Sequence, residues 1–263
     1  MRQNLISAQR GLNLIELMIA IVIGLFISLM VVQYLSSSSK LFKQQGVDTT
    51  LEANGTFAIS YLSRFIRQAG GSDPQGTDIP FLPGDCGGTD PNNSENPCTY
   101  NSDALEESDQ MAVITVPRNL KDCVGNDVDD EDDRIANVFR VEDSQLFCRG
   151  YDIDAGAWLG PEESLIDGIE QMQVLYGVSN DADVIYSYVD ASRVAAPGED
   201  EEEAWDRVRS VKIALLVSDG TAAGTETTEA RTYQLLDSPQ VEFTDRVLRK
   251  VYTTTIQINN KLP

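Results

Sequence analysis

The sequence predicts an α+β chain: one long N-terminal helix, half membrane-spanning and half amphipathic, packed on a mostly antiparallel β-sheet body. Three observations predict it. Residues 17–39 contain no charged side chain, and residues 17–35 are almost wholly apolar. Between residues 47 and 69, apolar side chains recur at helical spacing. Beyond residue 110, short alternating segments bounded by turn residues succeed one another to the end of the chain.

The helix comes first. A bilayer-spanning helix needs about 20 consecutive apolar residues, and this run supplies them, with a span expected at about residues 14–35. Arg2 and Arg10 precede it with no acid before Glu16. The positive-inside rule then leaves the N-terminus cytoplasmic and exports the chain beyond residue 36. A secretory signal would place a small-residue cleavage site after the apolar run; none is present there, so the segment is expected to be retained. The serines at 36–39 are read as helix. Val47, Leu51, Ala58, Leu62, Phe65 and Ala69 form an apolar stripe that should lie on a sheet. Gly70, Gly71 and Pro74 then end the helix. From Leu12 to Ala69 it would measure on the order of 85 Å at 1.5 Å per residue. Gly24, Gly46 and Gly55 each weaken it by about 1 kcal/mol and are candidate bending points.

The exported body comes next. Residues 70–109 are rich in Gly, Pro, Asn and Asp, and such a long irregular stretch calls for something to tie it down. Cys86 and Cys98 lie in it, and Cys123 and Cys148 lie beyond it. In an oxidising compartment four cysteines read as two disulfides, for which three connectivities exist. The favoured one is Cys86–Cys98, stapling this loop, with Cys123–Cys148. The rival, a metal site, lacks both CxxC spacing and histidine. Strand signals lie at 111–116, at 137–141 and 145–148 as a hairpin around Asp143, and at 169–178, 185–189, 208–218, 231–236 and 248–258.

Composition excludes much chemistry. The 263 residues include 42 acids, 20 bases and no histidine. Ser-His-Asp and Cys-His machinery, His-ligated zinc and an imidazole base are therefore absent, and no carboxylate pair stands out as acid and base. An enzyme is not indicated. The net charge of -22 opposes direct nucleic-acid binding. That charge is concentrated between residues 73 and 206, leaving both ends near neutral. Asp127, Asp129, Glu131 and Asp133 are a weak calcium candidate, but residue 132 is Asp where an EF-hand needs Gly and residue 138 is Val where it needs Glu. The plainer alternative is a solvated acidic turn, and no other cofactor is implied. The acidic run at 199–203 reads as an exposed loop, and the two Trp as core or strand-face residues.

Glu16 is out of place. A carboxylate one residue before an apolar run costs about 2.5–3.5 kcal/mol if carried into lipid, so it calls for a partner. The string Arg10-Gly11-Leu12-Asn13-Leu14-Ile15-Glu16-Leu17 resembles the processing site of type IV prepilins. By that resemblance Gly11 ends a leader cut by prepilin peptidase, Leu12 becomes the N-methylated first residue, and Glu16 is the fifth-position carboxylate used in filament assembly. The family's usual first residue is Phe, so Leu12 departs from it.

The body carries a second resemblance. Residues 164–178, 205–217 and 246–261, with 54–70 at the helix end, resemble PilW-type minor pilins. The family often has Arg-Asn near its end where this chain has Asn259-Asn260, so no role is carried onto those two residues. The resemblance implies a type IV pilin-like fold with a leader at 1–11, a long helix at 12–70 and a β-rich domain at 71–263. It implies a minor pilin that assembles into or primes a type IV pilus, in a tip complex supporting biogenesis, twitching motility, adhesion or DNA uptake. Expected partners are other minor pilins, the major pilin, the inner-membrane assembly platform and the prepilin peptidase and methylase. The expected location is the inner membrane as a single-pass protein, then the pilus at the cell surface. Alternatives are a J-type pseudopilin of type II secretion and, from another class, a membrane-tethered acidic domain binding calcium or another ligand.

Overall fold

The computed structural model describes residues 13–71, 79–84, 86, 98–102, 104, 107–117, 119–129, 134–180, 182–220 and 230–261. The chain divides into two compact units, Met1–Gly46 and Val47–Pro263. Helix α1, Leu14–Arg67, contributes to both.

In the first unit every described residue is exposed, so no tertiary packing supports the helix there. Leu, Met and Ala, which recur through it, are strong helix formers. The Ser28 hydroxyl donates to the Gly24 carbonyl at 2.8 Å, one turn back.

In the second unit α1 buries one stripe: Val47, Leu51, Gly55, Ala58, Leu62, Phe65 and Ile66. Leu62 and Ile66 are wholly inaccessible, and burial of a side chain of this size contributes about 1.5–3 kcal/mol. Gly55 is there for a reason other than bending. A Cβ on it would sit 2.4 Å from the Tyr252 ring, so only glycine lets that ring lie on the helix. The chain turns at Gly70, where φ is 62° and the N–H donates to the Ile114 carbonyl at 3.1 Å.

The strands form two antiparallel sheets and a ribbon. In chain order, β1 is Met111–Thr115, β2 Ile135–Glu142, β3 Gln145–Asp152, β4 Ala157–Trp158 and β5 Glu163–Asp167. They make a first sheet in the order β1-β2-β3-β4, with β5 also paired to β3. Strands β6 (Ile169–Ser179), β7 (Ile185–Val189), β8 (Val208–Ser218) and β11 (Arg249–Gln257) make a second, ordered β11-β8-β6-β7. Strands β9 (Arg231–Tyr233) and β10 (Val241–Phe243) form a two-stranded ribbon. The β2–β3 hairpin turns on Asp143 and Ser144, both left-handed, at φ 48° and 58°.

One apolar cluster joins the stripe of α1 to both sheets, through Met111, Phe139, Met172, Ile213 and Leu215 among others. Strand β8 is covered on its other face too, where Ala214 and Leu216 pack with Leu235 beside Tyr233 and Phe243 of the ribbon. That double cover is why residues 213–217 read as an unbroken apolar run. The irregular stretch before β1 is tied down as required. Phe81 bridges Val113, Leu82 N–H donates to the Ala112 carbonyl, and Ile114 N–H donates to that of Pro80, the last two at 3.0 Å.

The run 199–203 differs from its reading as a loop: Glu201–Asp206 is a short helix, α2. Asp200 caps it by accepting the Glu203 N–H at 3.0 Å, and three Glu in the first turn favour its N-terminus. The three glutamates are solvent-exposed, as the charge run implied.

Candidate functional site

The helix begins at a residue suited to begin it. The Asn13 carbonyl accepts from Glu16 N–H at 2.9 Å and Leu17 N–H at 3.2 Å. Glu16 therefore stands in the first turn, where unpaired N–H groups favour a negative charge, and its side chain is exposed. Gly11 and Leu12 lie outside the described residues. On both sides of Glu16, large apolar side chains face outward in all directions, from Leu14 at 75% exposed through Phe26 at 62% to Leu35 at 60%. That surface far exceeds the apolar patch a soluble monomer tolerates. A helix segment apolar on every side belongs in lipid or among helices like itself, and this one is long and apolar enough to cross a membrane.

In the second unit, the four separated segments 54–70, 164–178, 205–217 and 246–261 are neighbours. Strands β6, β8 and β11 lie side by side, and the buried stripe of α1 packs in the same cluster. Polar contacts also bridge the helix and these segments. Asn54 Nδ2 donates to the Asp167 carbonyl at 3.0 Å, Lys250 pairs with Glu52 at 2.5 Å, and Lys261 pairs with Asp206 at 2.5 Å. The hydrogen bond from Lys250 holds the Glu52 carboxyl below its ordinary range, although both groups are solvated and the pair is worth little. Arg249 is deeply set, between Glu170 and Asp245, with its guanidinium 3.7 Å from the Phe243 ring centre. Asn260 Nδ2 donates to the Gln68 carbonyl at 3.0 Å, so the end of the chain satisfies an orphan carbonyl at the end of α1. Sequence reasoning gave Asn54 and Asn260 no role. An Asn-Gly pair inside a helical stripe was the available signal for the first, because both are poor helix formers.

The structure brings Cys86 to Cys98 and Cys123 to Cys148 as disulfides, with Cα separations of 5.0 and 6.3 Å. The first lies on the outer face of the first sheet with Ala112, Ala136, Val138 and Tyr151, and the second faces the main core. Of the calcium candidates, Asp127 is paired to Lys121 at 2.5 Å and Asp129 is exposed, while Glu131 and Asp133 lie outside the described residues. The adjoining turn is organised by Asp122, whose Oδ1 accepts the N–H groups of Val124, Gly125 and Asn126. Among the described residues no three His, Cys, Asp or Glu side chains converge as a metal site.

Residues 130–260, about half of the chain, match the family described as PilW, type IV pilus-assembly protein W. No curated protein matches the chain significantly. Among solved structures, a type IV-like pilin from Thermus thermophilus is similar at 14% identity and a TM-score of 0.48, covering 81% of this chain and 97% of that one. The family's members are structural parts of pilus assembly, not enzymes. Through its segment 130–260 the chain belongs to the PilW family of type IV pilus-assembly proteins.

Proposed function

We propose that the chain is a minor pilin that assembles into or primes a type IV pilus, in a tip complex that supports biogenesis and, through it, motility, adhesion or DNA uptake. One observation carries the proposal: a chain of a pilus-assembly family presents a fully exposed apolar helix with a single carboxylate in its first turn. Cleavage after Gly11 would remove Arg2 and Arg10 and leave an amine on Leu12, N-methylated, four residues from Glu16. In a filament, the amine of one subunit would neutralise Glu16 of its neighbour. That pairing offsets the cost of burying the carboxylate and favours one register. A contact of this kind does not close on itself and so builds a helix of subunits. Before assembly the subunit would sit in the inner membrane, single-pass and N-terminus inward, meeting the peptidase, the assembly platform and other pilins there.

The test is Glu16→Ala at normal cellular abundance. The proposal expects the variant in sheared filaments at roughly a tenth of wild type or less, the loss of an interaction worth at least about 1.4 kcal/mol. Equal abundance in filaments would contradict the role of Glu16.

A further inference from the structure

The outer face of the first sheet holds a cavity of about 540 Å³, within the range that takes a small ligand. Its apolar side includes Val138 and Cys86 of the buried disulfide; Tyr100, Gln110, Arg140, Arg149, Trp158 and Glu162 also line it. The two arginines differ. Arg140 is held by Glu142 and in a bidentate pair by Glu162. Arg149 donates Nε–H to the Gly160 carbonyl at 2.6 Å, and its guanidinium lies 4.4 Å from the Trp158 ring centre. Its two terminal amino groups make no hydrogen bond or ion pair with any described residue. Residues 73–206 hold 33 acids and six bases, so a cation without an acidic partner among the described residues is out of keeping with its surroundings.

We infer that this cavity binds an acidic sugar, its carboxylate on Arg149 and its hydroxyls on Glu162 and Tyr100. Stacking on Trp158 fixes the plane of the guanidinium, and its terminal pair of N–H groups, without a partner among the described residues, matches the spacing of a carboxylate. Glu162 argues against a bare anion: it would repel a second negative group but accepts hydroxyl protons through the lone pairs that Arg140 leaves. The Tyr100 hydroxyl also makes no hydrogen bond with any described residue and can donate or accept. A ligand that satisfies both carries a carboxylate and hydroxyls on one ring, with C–H faces for the aromatic walls.

The experiment titrates the detergent-solubilised full chain, by calorimetry and Trp fluorescence, with a glucuronate-β1,4-glucose disaccharide, its methyl ester, cellobiose and acetate. The acidic disaccharide should bind at least about tenfold more tightly than cellobiose, with the methyl ester behaving like cellobiose. Arg149→Met should erase that preference while leaving the melting curve and both disulfides unchanged. No binding of the acidic disaccharide up to about 10 mM, equal affinity for the ester, or acetate competing as well as the disaccharide would each overturn the inference. The methyl ester arm leaves the protein unaltered, so the test stands even where the Arg149 variant fails to fold.

Discussion

Asp109 shows how one residue can tie an irregular stretch to a sheet and set a pH dependence at the same time. It is 3% exposed, and its two oxygens accept the N–H groups of Ser102 at 2.9 Å and Val174 at 2.7 Å. Burial pushes its carboxyl up to about 7, against the pull of those two donors. The folded chain thus keeps a proton that the unfolded chain releases near pH 3.9. The linked stability, up to about 4 kcal/mol, is fully present below about pH 4 and is lost as the pH rises to about 7. Thermal unfolding of Asp109→Asn should therefore fall less steeply than wild type across that interval; parallel pH profiles would contradict the assignment. Gly168 is a steric case. Its φ is 81°, and a Cβ there would lie 2.2 Å from the Ser218 carbonyl oxygen, in a backbone pair that joins β5 and β6 to β8. Gly168→Ala should cost more than about 3 kcal/mol in chemical denaturation, combining a left-handed backbone with an overlap against main chain.

At the scale of elements, α1 contains two kinds of helix under one hydrogen-bonding pattern. Leu62 is inaccessible in the core, so Leu62→Ala should lower the stability of the second unit by about 2–5 kcal/mol. Leu25 is 61% exposed, and Leu25→Ala should leave the same unfolding transition within about 0.5 kcal/mol. The Cys123–Cys148 disulfide closes a 25-residue separation, and replacing both with Ala should cost roughly 3 kcal/mol. The elements also differ in how far the sequence announced them. The stripe from Val47 onward was legible because a helix half-buried on a sheet keeps its 3.6-residue period. Strand β8 was legible because it is covered on both faces. Strand β10 was not, since three residues cannot show a period and its role is to cover β8 from outside. Helix α2 was hidden by its own charge: the acids that marked an exposed loop are the ones that stabilise a helix N-terminus. At the N-terminus, only the resemblance to prepilin processing sites proposes roles for Gly11, Leu12 and Glu16. The cavity around Arg149 was out of reach, because its lining comes from strands and loops spread between residues 86 and 162.

For the whole molecule, the sequence and its family describe a subunit made to be incorporated into something larger. The body is strongly acidic and self-contained, with its own core and two disulfides, while the N-terminal helix is apolar on all sides and completes no core of its own. In the filament proposed above, such helices would pack together, and Glu16 would be the charge that sets their register. Assembly by this route requires conversion of the precursor to a chain with a free amine next to that carboxylate. Intact mass and N-terminal sequencing of the membrane-extracted protein, with and without prepilin peptidase, test this most directly. The expected chain begins at N-methylated Leu12 when the peptidase is present and at Met1 when it is absent. A chain beginning at Met1 in both would contradict the filament role and reduce Glu16 to a carboxylate at the membrane surface.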